Sequence, residues 1–253
     1  MSHLLTPKRC ALGLMAKAPL AGEVKTRLVP PLVPAEAAAL NVCFLRDMAA
    51  NVHAVAAAHG AAGLVVYTPL GAESAFDGLL PDGFELLAQR GDSLGDRLCN
   101  ATDDLLKEGY ASVCLINSDS PTLPSALLVQ AIKLLSIDGD RVVLGAADDG
   151  GYYLIGLKLA HRNLFERIAW STADVLPHTI ERAKEIGVPV KLLPNWYDVD
   201  DAASLKRLCE ELFDGASQDG AYPASHTRGF LEQLRKSEAL QKIFPSRSRR
   251  MST

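Results

Sequence analysis

Short apolar runs of strand length alternate with alanine- and leucine-rich segments of helical length along nearly the whole of this 253-residue chain. The runs predict strands near Ala11–Ala16, Gly63–Thr68, Phe84–Ala88, Ser112–Asn117, Arg141–Ala146, Tyr152–Leu157 and Pro189–Leu193. The segments between and after them fit helices at Pro34–Ala58, Ser93–Glu108, Ser125–Leu135, Ala173–Ile186 and Ala202–Phe213. Strands that are apolar on both sides must be covered on both sides, so the pattern predicts an α/β fold with a mostly parallel sheet between two helical layers. One connection departs from it. Only Ala147-Asp148-Asp149-Gly150-Gly151 separates two strands, too short for a crossover helix. That pair is antiparallel or joined by an irregular turn, and the sheet is mixed.

A chain of this length buries a sizeable core as one domain. Lys and Arg number 26 against 30 Asp and Glu, a net charge of −4. No clustered basic excess for duplex nucleic acid is expected from that balance, whereas a small anionic ligand needs only a few local cations. No apolar run approaches the ~20 residues of a membrane span. The run Cys10–Ala16 is too short for a signal-peptide core and reads as a first strand. The expectation is a cytoplasmic protein with neither nucleic-acid nor membrane partners. Cys10, Cys43, Cys99, Cys114 and Cys209 include no C-x-x-C pair and read as thiols in a reducing compartment. The Gly-, Ala-, Ser- and Asp-rich stretch 214–226 reads as a linker between a domain of residues 1–213 and a C-terminal piece, 227–253. There a polar helix near Thr227–Ile243 precedes a basic, serine-rich end expected to be disordered.

Ligands of open α/β sheets bind beyond the carboxyl ends of the strands, and several loops there carry unusual chemistry. After the first strand, Lys17, Lys25 and Arg27 surround Gly22 and Thr26. Loop backbone and cations together hold a polyphosphate, unless the segment is only a solvated basic turn. The spacing is not that of a P-loop. In Gln89–Leu98, Asp92 is either a nucleoside contact or, with Ser93, a helix cap. The strand Val113–Asn117 delivers Ser118-Asp119-Ser120-Pro121. A carboxylate there suits Mg2+ or Mn2+, with helix capping as the alternative. Asp148 and Asp149 stand beside Gly150 and Gly151, ahead of Tyr152 and Tyr153. Finally, Asp198 and Asp200 of Trp196–Asp201 share a side if extended and offer further metal ligands, with capping by Asp200 or Asp201 as the alternative. No Ser-His-acid set, histidine metal spacing or dinucleotide glycine fingerprint is present.

The segments AKAPLAGEVKTRL, NSDSPTLP, ADDGGYYLIGL, IAWST and NWYDVDD, in this order, resemble the bacterial GT-A-like transferase family linked with radical-SAM/selenodomain proteins. Its members are usually described as glycosyltransferases of arsenosugar pathways. The resemblance runs from about Leu12 to Leu212. The first motif is also similar to that of 2-phospho-lactate guanylyltransferases, and the single aspartate followed by proline to that of molybdenum-cofactor guanylyltransferases. The resemblance implies a GT-A three-layer sandwich in which Lys17, Lys25 and Arg27 bind phosphates; Thr26 and Asp92, from the loop reading, join them as candidate nucleotide contacts. The resemblance also implies a metal on Asp119, completed by Asp198 or Asp200, and an acceptor facing Asp149, Tyr152, Trp170 and Ser171; Asp148 and Gly150, beside Asp149 in its loop, are added as acceptor candidates. Lys25, Asp119 and Asp149 become the catalytic candidates.

Glycosyltransferases of this fold commonly carry D-x-D, whereas this strand end reads Ser118-Asp119-Ser120. A lone aspartate needs a second ligand from elsewhere, as in nucleotidyltransferases. The leading expectation is therefore nucleotidyl transfer from a nucleoside triphosphate to a small phosphorylated acceptor. Glycosyl transfer from a nucleotide-diphosphate sugar is the alternative, and a nucleotide-binding protein without turnover the third.

Overall fold

The computed structural model describes residues 10–215 and 219–235. The tail Pro245–Thr253 and residues 236–243 of the helix expected at Thr227–Ile243 lie outside the described residues.

Seven strands form one sheet: β1 (Ala11–Lys17), β2 (Ala62–Thr68), β3 (Glu85–Ala88), β4 (Val113–Asn117), β5 (Val142–Ala147), β6 (Tyr152–Leu157) and β7 (Val190–Trp196). Their order is β3-β2-β1-β4-β6-β5-β7, and β6 alone runs against its neighbours. The described residues also form six α-helices: α1 (Pro34–His59), α2 (Leu94–Lys107), α3 (Ser125–Ser136), α4 (Val175–Glu185), α5 (Ala202–Phe213) and α6 (Ser225–Leu234).

Alternate strand residues face opposite layers, as pleating requires. Leu12, Leu14, Val65, Cys114 and Ile116 join a core with α1, α3, α5 and α6. Ala11, Leu64, Val66, Val113 and Leu115 join a second core with α2 and α4. The sheet is thus the middle of three layers.

The short link between β5 and β6 is a tight turn. Ala147 N donates to Gly151 O at 3.0 Å and Gly150 N to Ala147 O at 3.1 Å, with Gly150 at φ 90°, a conformation that favours glycine. Several boundaries shift by one to three residues from those expected, and two of these shifts have a clear cause. Helix α4 starts at Val175 rather than Ala173, because Leu176 N donates to Gly150 O at 2.9 Å and ties the first turn to the β5–β6 loop. Strand β7 continues to Trp196 past Pro194. It is an edge strand with a register shift opposite Gly145 and Ala147, where a missing N–H is tolerated.

The chain winds from β1 outward to β3, then returns to place β4 on the other side of β1. That reversal opens a crevice at the carboxyl ends of β1 and β4. Lys17 and Asn117 end those strands.

Candidate functional site

The loop after β1 crosses the crevice and puts Lys25 at φ 50°, ψ 37°, in the left-handed region. A lysine holds that conformation only when its surroundings fix it. Its Nζ donates to Val199 O at 2.9 Å and to Asp200 Oδ1 at 2.9 Å, and lies 2.5 Å from Asp119 Oδ1. It also sits 5.4 Å from the Phe44 ring centroid. The side chain is only 5% exposed. Burial pulls its pKa down, but the charges of Asp119 and then Asp200 more than offset this and leave it above the ordinary value.

The carboxylates come from two strand ends. Asp119 follows β4, and its carbonyl accepts from Val199 N at 2.9 Å, joining the loops after β4 and β7. Asp200 Oδ2 accepts from Arg27 Nη2 at 2.7 Å. Asp198 turns the other way: its Oδ1 accepts from Asn117 Nδ2 and Ser120 Oγ, both at 2.6 Å. Burial pushes the Asp198 carboxyl up; the Ser120 hydroxyl opposes this, Asp119 adds to it, Asn117 opposes and Asp149 adds, to about 6. The helix caps are other residues. Asp201 caps α5, accepting from Ser204 N at 2.8 Å; Ser93 caps α2; and the residue before α3 is Pro124.

Three adjoining clefts share Arg27 and Asp200. The first, about 280 Å³, takes in Lys17, Lys25, Thr26, Asp119 and, unexpectedly, Asn41 and Ser118. Lys17 donates to Glu23 Oε2 at 2.8 Å. The second, about 500 Å³, takes in Asp119, Asp149, Tyr152, Trp170, Ser171 and Asp198. Trp170 packs against α2 where a side chain would not fit: a Cβ on Gly95 would stand 2.9 Å from its ring. The third contains Asp148, Asp149, Asp198 and Arg207. There Asp148 is engaged by Arg207 at 2.7 Å, and the same guanidinium lies 3.8 Å from the Tyr197 ring centroid.

Most of the residues singled out from the sequence therefore meet. Asp92 does not: it is exposed and lines none of these clefts, because α2 begins two residues later and carries Leu94 to the cleft instead. Gly150 shapes the edge of the second cleft through its backbone rather than lining it. Asp119, Asp198 and Asp200 border the second cleft together. Among the described residues, however, no group of three His, Cys, Asp or Glu is gathered so as to hold an ion as it stands. Lys25 occupies the two carboxylates that face it.

Sequence reasoning missed Asn41, Asn117, Ser120 and Arg207. Asn117 and Ser120 flank Asp119 in one motif, so their proximity was legible. Asn41 lies inside an alanine-rich helix and Arg207 inside a charged one, where no local pattern marks them.

A family model described as an uncharacterized protein conserved in bacteria (DUF2064) matches residues 51–172, a span that contains Asp119, Asp149 and Trp170 but neither Lys25 nor Asp200. Among solved structures, a protein of Desulfovibrio desulfuricans G20, provisionally assigned as a nucleotide-diphospho-sugar transferase, is 28% identical. That similarity covers 92% of this chain and 97% of that one, with a TM-score of 0.78. The fold is GT-A-like. A cytidylyltransferase from Leptospira borgpetersenii, 12% identical, covers 95% of this chain and 98% of that one at a TM-score of 0.51, and shows the fold alone. No protein of curated function matches the sequence.

Proposed function

We propose that this GT-A-like protein is a metal-dependent transferase that moves a nucleotidyl group from a nucleoside triphosphate to a small phosphorylated acceptor. The observation that carries this reading is the buried Lys25, held between Asp119 and Asp200 in a cleft that opens onto a second cleft through a shared wall.

The first cleft suits phosphates. Lys25 offers a point charge and Arg27 a fork, and both are now engaged by carboxylates. Entry of a polyanion gives these cations phosphoryl oxygens instead, which frees Asp119 and Asp200. The residues present fit a divalent ion: the donors are hard carboxylate oxygens, and Asp119 and Asp149 both raise the pKa of Asp198, a local excess of negative charge that a cation relieves. Asp119, with Asp198 or Asp200, would hold Mg2+ or Mn2+. The ion's contribution when bound is to neutralise charge at the α-phosphorus and on the departing pyrophosphate. Lys25 and Arg27 stabilise the same charge from the loop after β1. The acceptor's own phosphate attacks, so no protein nucleophile is required. Asp149, Tyr152, Trp170 and Ser171 position the acceptor in the second cleft.

A second reading, glycosyl transfer from a nucleotide-diphosphate sugar, is favoured by the provisional assignment of the Desulfovibrio protein. In that reading Asp149 is the base for an acceptor hydroxyl, since Asp148 is held by Arg207.

Incubation with nucleoside triphosphates and sugar nucleotides, with Mg2+ or Mn2+ and phosphorylated small molecules, separates the two. Acceptor-dependent pyrophosphate release, abolished in Asp119→Asn with an unchanged circular-dichroism spectrum, supports nucleotidyl transfer. Release of nucleoside diphosphate from a sugar nucleotide overturns it in favour of the second reading.

A further inference from the structure

Asn41 and Ser118 are 7% and 9% exposed, and both line the first cleft. Asn41 comes from the early turns of α1, Ser118 from the residue between Asn117 and Asp119. Neither side chain hydrogen-bonds to any described residue, and neither belongs to the buried polar groups sealed off from solvent. Their polar atoms therefore open into the cleft itself. A carboxamide and a hydroxyl that face the cleft without a protein partner keep their hydrogen-bonding capacity for whatever fills it, water in the empty cleft and a ligand that displaces it.

The chemistry of the cleft defines that occupant. Its charged side chains already have partners: Lys17 has Glu23, while Lys25 and Arg27 share Asp200, and Lys25 also has Asp119. Asn41 and Ser118 are donors that need break no ion pair to bind an anion. Among the described residues, no aromatic ring lines this cleft to stack a base, whereas Tyr152 and Trp170 line the neighbouring one. We propose that Asn41 Nδ2 and Ser118 Oγ are the neutral recognition groups of the cleft, donating to phosphoryl oxygens of a di- or triphosphate beside Lys25. This rests on the phosphate reading of the Lys25 cleft and extends it to a helix that the motifs do not mark.

The test is calorimetric titration with inorganic pyrophosphate and tripolyphosphate, with and without Mg2+, paired with thermal unfolding of the ligand-free protein. Asn41→Leu and Ser118→Ala should each weaken binding about 10-fold or more, the worth of a hydrogen bond to a charged group. The ligand-free melting temperature of Asn41→Leu should hold or rise, because an apolar side chain of similar size replaces a polar one without partners. Ser118→Ala carries the test should Asn41→Leu fold poorly. If both variants bind pyrophosphate as the parent does while Lys25→Ala loses it, this proposal is overturned and the phosphate reading stands. If Lys25→Ala also binds unchanged, both fall. A lower ligand-free melting temperature with unaltered affinity shows Asn41 to be structural and likewise overturns the proposal.

Discussion

Lys25 and Asp200 lie 175 positions apart in the chain, yet the lysine Nζ reaches the aspartate Oδ1 at 2.9 Å. Through that contact the loop after β1 is locked to the loop after β7, and Asp119 after β4 closes the group. The arrangement holds a cation ready at the sheet's switch point and keeps it occupied by carboxylates.

Exchange of those carboxylates for phosphates predicts unequal effects. Lys25→Ala should weaken triphosphate binding about 10- to 100-fold, since a buried charge-assisted contact is worth about 1.5–3 kcal/mol. Arg27, 71% exposed, is screened by water, so Arg27→Ala should cost only a few-fold. Nucleoside monophosphate binding should fall less in both. Calorimetry with mono-, di- and triphosphates in Mg2+ measures these ratios, and equal losses for all three ligands would contradict the assignment.

Gly150 joins the β5–β6 turn to the loop before α4. At φ 90°, a Cβ there would stand 2.3 Å from Ala173 O and 2.5 Å from Ala173 Cα. Gly150→Ala should cost about 1–3 kcal/mol of stability through strain and displace the neighbouring Ser171–Ala173 segment. The acceptor KM should then rise while donor affinity stays near that of the parent. Steady-state kinetics with each substrate varied in turn checks this separation.

Asp47, 2% exposed on α1, accepts from His226 N at 3.0 Å and Thr227 N at 2.8 Å. Helix α6 has no side-chain cap of its own, so α1 supplies one across the core. Asp47→Ala should destabilise the fold by about 2 kcal/mol, the loss of a cap that leaves the buried Thr227 N–H without its acceptor. Chemical denaturation followed by circular dichroism reads the shift. A variant as stable as the parent would show that α6 docks through Leu231 and its apolar neighbours alone.

Burial pushes the half-buried Cys43 thiol up, Asp47 adds to this and Arg46 opposes it, to about 11 from an ordinary 9.0. Only the thiolate is nucleophilic, so at pH 8 alkylation by iodoacetamide should run about 100-fold slower than for a thiol of ordinary pKa. The rate should climb about 10-fold per pH unit toward 11, because each unit of rising pH deprotonates ten times more of the group. Mass spectrometry of the alkylated peptide gives the profile, and a plateau near pH 9 would contradict it.

The alternation of apolar runs and helical segments was enough to place every strand, because periodicity is a local property of the chain. The loop chemistry was legible for a related reason: strands must end somewhere, and Lys25, Asp119 and Asp200 follow strand ends. Other outcomes depended on contacts between distant segments. Pairing β6 against β4 and β5 settled the ambiguous turn at Ala147–Gly151. Packing of the loops after β4 and β7 turned Asp198 toward Asn117 and Ser120 while Asp200 met Lys25, a division that their equal spacing in an extended segment did not distinguish. Asp148 and Asp149 are neighbours with one chemistry, and only the position of α5 gives Arg207 to the first and leaves the second facing two clefts. Asn41 had no sequence signal at all, since a polar residue in a helix is usually solvated; its place on α1 beside the loops after β1 and β4 is what buries it at the cleft. Sequence determined which elements form and where their loops fall, through local periodicity and turn chemistry. The tertiary structure decided which charges meet, because electrostatic and hydrogen-bond partners are set by distance in space and not by distance along the chain.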